Sequence, residues 1–115
     1  MGLDMYVYDS YGEKVAYWRK FNSLHGWMVK NVQDGIDECQ QSEIPREKIQ
    51  QLVEILGIIK EVPQKAEVLM PATDGFFFGS TQYDQYFLDD VNTALDAFQD
   101  MLQHPDQTYF YQASW

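Results

Sequence analysis

Between residues 83 and 103, Phe87, Val91, Leu95, Phe98 and Leu102 recur at steps of three and four. That spacing places all five on one side of an α-helix and on no single side of a strand. The segment therefore reads as one long helix with a buried stripe, closed by Pro105. A second stripe, Ile49, Leu52, Val53, Leu56 and Ile59, predicts another helix that begins at Pro45 and stops at Pro63. Proline suits a first helical turn, where its missing N–H leaves nothing unpaired, and it ends a helix elsewhere.

The rest of the chain is arranged around these two helices. Leu3, Met5 and Val7 alternate with Asp4, Tyr6 and Tyr8, the period of a half-buried strand over 3–8. Residues 9–13 are a turn. Tyr17, Phe21, Leu24, Met28 and Val32 predict a further helix over 15–32, with Gly26 inside it and Asp34–Gly35 at its end. Residues 36–43 read as loop, and 64–70 as a short helix stopped by Pro71. In GFFFGST at 75–81, Gly75 and Gly79 permit tight turns, the Phe side chains plug the core, and Ser80 or Thr81 caps the long helix. Residues 108–112 are β-prone and are expected to pair with 3–8, since a lone strand leaves its backbone groups unsatisfied. The expected fold is α+β: one domain over residues 1–115, about four helices around one core, and a small sheet formed by the two chain ends.

Charge narrows the function. The chain carries 18 acidic and 8 basic residues, a net of −10. Residues 66–115 hold eight acids and no Lys or Arg. Direct nucleic-acid binding is excluded on this reading, because phosphate contacts need cations. A basic partner is favoured instead. With the expected stripe buried, Asp89, Thr93, Asp96 and Asp100 fall on one outer face, with Asp90 beside it. At 1.5 Å per residue, Asp89 and Asp96 lie about 10.5 Å apart along the axis. A rigid line of carboxylates on that scale can occupy a groove built for phosphates. Asp84, Asp89, Asp90, Asp96 and Asp100 are the candidate partner-binding residues. The bland reading is a solvated helix face, but such faces ordinarily intersperse both signs.

Other chemistry is thinly supported. Trp18, Asn22 and His25, with Trp27 nearby, would share a face of the helix over 15–32 and are a candidate ligand pocket. The plainer reading is a core Trp with two buried polar side chains. Cys39 is the single cysteine and follows Asp37 and Glu38, which disfavour a thiolate. It can form no intrachain disulfide, which fits a reducing compartment. No metal, cofactor or catalytic residue is expected. GFFFGST lacks the Lys of a phosphate loop and the glycine spacing of a dinucleotide fingerprint. No apolar run approaches a membrane span, the N-terminus lacks signal-peptide character, and Tyr6 stands where a myristoylation signal needs Ser or Thr. A soluble cytoplasmic protein is expected, with self-association left open. The 16% aromatic content exceeds what one small core needs; small aromatic clusters packed under loops are the expected reason, with a binding surface as the alternative.

Several segments together carry a family resemblance. They are Met1-Gly2-Leu3-Asp4-Met5-Tyr6; Trp18-Arg19-Lys20 with Asn22, His25 and Trp27; Asn31-Val32-Gln33 with Gly35, Asp37 and Cys39; GFFFGST with Tyr83-Asp84 and Tyr86; and Ser114-Trp115. The chain resembles a family of small uncharacterised bacteriophage and prophage proteins, departing from it at Phe21 and Pro45. The resemblance implies a setting, the cytoplasm of an infected bacterium, and no activity. A phage setting and an acidic surface together point to an inhibitor of a host nucleic-acid-binding defence complex, of the anti-CRISPR or anti-restriction type. The alternatives are a small enzyme or ligand sensor using Trp18, Asn22 and His25, and a virion or assembly protein.

Overall fold

The computed structural model describes residues 2–72 and 83–115. In chain order the elements are β1 (Asp4–Tyr8), β2 (Lys14–Arg19), α1 (Asn22–Asn31), β3 (Ser42–Ile44), α2 (Arg46–Glu61), a 3₁₀ turn (Pro63–Lys65), α3 (Ala66–Leu69), α4 (Gln85–Leu102) and β4 (Tyr109–Ser114). The fold is α+β. The strands form one antiparallel sheet in the order β2-β1-β4-β3.

The chain ends do pair, in the register Asp4 to Ser114 through Tyr8 to Phe110. The sheet is wider than the two terminal strands expected, and the difference lies in residues 14–44. No helix runs over 15–32. Its first third is β2, hairpinned onto β1 with Met5 opposite Trp18 and Tyr6 opposite Tyr17. The hairpin is built locally. The Asp9 carboxylate accepts from the N–H groups of Tyr11 and Glu13, and Gly12 takes the positive φ of 80° that the turn requires. Pairing with β1 satisfies a row of backbone groups, which outweighs a helical period carried by a few apolar residues. Lys20, at φ 58°, turns the corner into α1 and donates its N–H to the Leu3 carbonyl at 2.7 Å. The end of the segment expected as loop, 42–43, forms with Ile44 the short edge strand beside β4.

The inner sheet face contributes Met5, Val7, Trp18, Tyr109, Tyr111 and Ala113 to a continuous buried cluster. Leu24 and Met28 of α1, Leu52, Leu56 and Ile59 of α2, and Phe87, Val91, Ala94, Leu95, Phe98 and Met101 of α4 complete it. The two long apolar stripes therefore face inward as their spacing requires. Val53 of one stripe and Leu102 of the other are only partly buried, and Met101 takes the core position beside Leu102. The β-period of β1 shows in the opposite direction too: Tyr6 and Tyr8 point to the outer sheet face with Tyr17, and the Lys14 ammonium sits 5.4–5.5 Å from the ring centroids of Tyr6 and Tyr17.

Candidate functional site

The five candidate aspartates divide by position on α4. Asp84 is the N-cap, its carboxylate accepting from the Phe87 N–H at 3.1 Å. This corrects the cap expected from Ser80 or Thr81. Those residues, with the rest of GFFFGST, lie outside the described part of the chain. Asp89 is exposed and accepts from the Gln85 side chain at 2.9 Å. Asp96 and Asp100 are exposed one turn apart, and Asp100 lies 3.8 Å from the exposed His104 imidazole. Gln85, Tyr86, Asn92, Thr93 and Gln99 are the other exposed residues of this helix, so its solvent face holds no cation.

Asp90 is different. One step along the helix from Asp89, it is half-buried in a pocket of about 200 Å³ that Arg19, Lys20, Asn22 and Asp84 also line. Arg19 and Lys20 form no ion pair with it. Burial, and then the negative charges of Asp89 and Asp84, push its carboxyl up to about 6 from 3.8. The sign of the linkage follows. A carboxyl whose folded pKa is raised binds its proton more tightly in the folded state, so it opposes folding increasingly as pH rises from about 4 to 6. A shift of this size corresponds to about 3 kcal/mol before solvent screening, and half-exposure reduces that to about 1 kcal/mol. The expected outcome for Asp90→Asn is a higher melting temperature at pH 7, with the gain gone below about pH 4, where both forms are neutral. Thermal melts of the two proteins across pH 3.5–7.5 measure it. A gain independent of pH would mean that burial of the charge is not its cause.

Trp18, Asn22 and His25 are not on one helix. Trp18 is on β2, 3% exposed, stacked on Phe98 with ring centroids 5.5 Å apart, and its indole N–H has no hydrogen-bond partner. Asn22 is buried at the start of α1. His25 is 1% exposed and committed on both ring nitrogens. Asp37 can only accept, so Nε2–H donates to its carboxylate at 2.9 Å, and Nδ1 accepts from the Tyr111 hydroxyl at 2.6 Å. Burial lowers the His25 pKa, with the Asp37 charge opposing, and burial raises that of Tyr111 well above its usual value. The central pair is thus a neutral imidazole and a neutral phenol. Asp37 also accepts from the Trp115 indole at 3.1 Å. This chain of bonds ties α1, the 32–41 segment, β4 and the C-terminal residue together. The two partners of His25 are 12 and 86 residues from it in sequence, and no local pattern announces them.

Cys39 is partly buried, in a left-handed conformation at φ 59°, and its carbonyl accepts from Gln112. Among the described residues no group of three His, Cys, Asp or Glu side chains is placed to hold a metal ion, and no helix is long and apolar enough to cross a membrane. In comparisons with known proteins, no family model, no curated protein and no solved structure matches the chain.

Proposed function

We propose that the chain is a phage-encoded acidic binding protein that occupies a basic, nucleic-acid-binding surface of a host defence complex, with carboxylates standing where phosphates would. The observation that carries this reading is the solvent face of α4, which displays Asp89, Asp96 and Asp100 with no Lys or Arg. Folding does not explain those charges. Asp96 and Asp100 lie in the second half of the helix, toward its negative dipole end, and the last turn holds no basic residue. Within the last turn that field costs Asp100 about 0.3–1 kcal/mol. The Asp100–His104 contact is long and exposed, and pairs of that kind contribute little. Exposed carboxylates that no Lys or Arg of this helix pairs with are available for a partner.

The test replaces Asp89, Asp96 and Asp100 together with Asn, which keeps the shape and removes three charges. The expected outcome is equal or higher thermal stability with a loss of affinity of about 100-fold or more for the host complex, since close interfacial charge pairs couple by about 1.5–7 kcal/mol. Binding of the unmutated protein is expected to weaken steeply between about 50 and 200 mM salt, as multi-phosphate contacts do, and a DNA or RNA duplex is expected to compete for the same surface. The measurement is a titration of both proteins against purified CRISPR effector and restriction complexes at two salt concentrations. Equal affinity of the triple variant would remove the α4 face from consideration.

A further inference from the structure

The fold gives the Tyr109 hydroxyl no partner. Tyr109 is 6% exposed on the inner face of β4, and its hydroxyl has no hydrogen-bond partner among the described residues. A Phe would fill the core with the same ring. Buried Tyr hydroxyls ordinarily find a partner, because an unmade hydrogen bond leaves the cost of drying the group. This hydroxyl instead opens on a pocket of about 260 Å³ between the end of α4 and the β1–β2 turn. Two carboxylates line the same pocket, Asp9 from the turn and Asp100 from α4. Burial, and then the charges of Asp100 and Asp9, raise the Tyr109 pKa, so the phenol is neutral and lies in the field of both.

The walls are fixed from both sides. Oδ1 of Asp9 accepts from the N–H groups of Tyr11 and Glu13 at 2.9 and 3.0 Å, which leaves Oδ2 without a partner among the described residues. The Ser10 hydroxyl accepts from the Thr108 N–H at 3.1 Å and donates to the Gln107 side chain at 2.9 Å, tying the turn to the approach of β4. No Lys or Arg lines the pocket. The nearest cations are engaged elsewhere. Lys14 sits over the Tyr6 and Tyr17 rings on the outer sheet face, and Arg46 donates to the Leu102 carbonyl at 2.8 Å. His104 also lines the pocket and stands 3.8 Å from the Asp100 carboxylate, too far for a hydrogen bond. Glu13, exposed in the turn, and the negative end of the α4 dipole add to the same field. Val15, Ala97 and Met101 supply an apolar wall.

We propose that this pocket binds an alkylguanidinium group, its planar head among Asp9, Asp100 and the Tyr109 hydroxyl and its stem along Val15 and Met101. Two carboxylates without a basic residue in the lining select a cation. A metal ion fits poorly, since no group of three His, Cys, Asp or Glu side chains among the described residues is placed to hold one. The acceptors come from three separate elements, the turn, α4 and β4. A guanidinium presents five N–H donors in a rigid fork and reaches separated acceptors, where an ammonium is a compact point charge. Methylenes beside the head suit the apolar wall. The group is carried either by an arginine side chain of a partner protein or by a free guanidino compound. The pocket shares Asp100 with the α4 face but does not rest on the reading of that face as a phosphate mimic.

The probes are butylguanidinium and butylurea, a neutral molecule of similar shape. Each is titrated into the isotopically labelled full chain, with amide shifts as the readout. Butylguanidinium is expected to shift Asp9, Val15, Asp100 and Tyr109 along a saturating curve, and butylurea is not. Tyr109→Phe removes only the hydroxyl. It is expected to weaken butylguanidinium binding about 10-fold while the melting temperature of the free protein stays within about 2 °C or rises. Asp9→Asn keeps the turn acceptor, removes the charge, and is expected to weaken binding about 10-fold or more. The Asp89→Asn/Asp96→Asn variant is expected to keep the butylguanidinium shifts whatever its affinity for a host complex, so failure of one proposal is distinguishable from failure of the other. Agmatine and the peptide acetyl-Gly-Arg-Gly-amide separate the two sources. Tighter binding of agmatine assigns a free compound, and peptide binding at least as tight assigns an arginine side chain. Equal shifts from butylurea, no shifts at the pocket, or undiminished binding by Tyr109→Phe would each overturn the proposal.

Discussion

Deleting residues 107–115 is expected to leave a chain with no cooperative thermal transition. β4 is an inner strand, hydrogen-bonded to β1 on one side and β3 on the other. Its loss strips five residue pairings from β1 and three from β3. β3 then has no strand partner at all, and a buried edge of β1 faces the gap. Tyr109, Tyr111 and Ala113 leave the core in the same step. The Nδ1 atom of His25 loses the hydroxyl that donates to it. A buried acceptor without its donor costs about 1–3 kcal/mol, and burying each large apolar side chain contributes about 1.5–3 kcal/mol. Set against a total of about 5–15 kcal/mol for a domain of this size, the sum of these losses exceeds what the fold holds. Circular dichroism melts of the full and shortened chains measure it. A shortened chain that melts cooperatively within a few degrees of the original would show that β4 is not a structural strand.

Truncating Phe98 to Ala is expected to cost about 3–5 kcal/mol. Phe98 is fully buried on α4 and stacks on Trp18 of β2, so it joins the longest helix to the hairpin that the local sequence pattern does not reveal. Removal of the ring takes away its own transfer energy and leaves a cavity under Trp18, whose indole N–H is already without a partner. Neighbouring Gln99 is exposed, and Gln99→Ala is expected to change stability by less than about 0.5 kcal/mol. Urea denaturation of both variants gives the contrast. A Phe98→Ala change under about 1 kcal/mol would place the buried face of α4 elsewhere.

The same contrast marks the boundary between what is legible in the chain and what is not. α2 and α4 are readable because each repeats an apolar residue over about three or more turns, and one burial solution satisfies so long a stripe. β1 and β4 are readable from alternation and composition, and their pairing follows from the need of a strand for a neighbour. The exposed half of the candidate surface, Asp89, Asp96 and Asp100, follows from the buried half of the same helix by rotation alone.

Residues 14–32 are not readable in this way. Val15, Tyr17 and Trp18 fit a strand, while Tyr17, Phe21 and Leu24 fit a helix. What decides between them is β1, a segment already in place across a turn. Tyr17 consequently faces the outer side of the sheet, where its hydroxyl donates to Asp4 at 2.5 Å. β3 has no apolar pattern of its own and is a strand because β4 offers it an edge. The charge of the C-terminal half, the two long helices with their buried stripes, and the meeting of the chain ends all follow from periodicity and composition along one element at a time. That Asp90 is half-buried while Asp89 is not, and that His25 is held between Tyr111 and Asp37, came from packing between elements. Those facts depend on which elements pack beside each side chain, and distance in space is not written in distance along the chain.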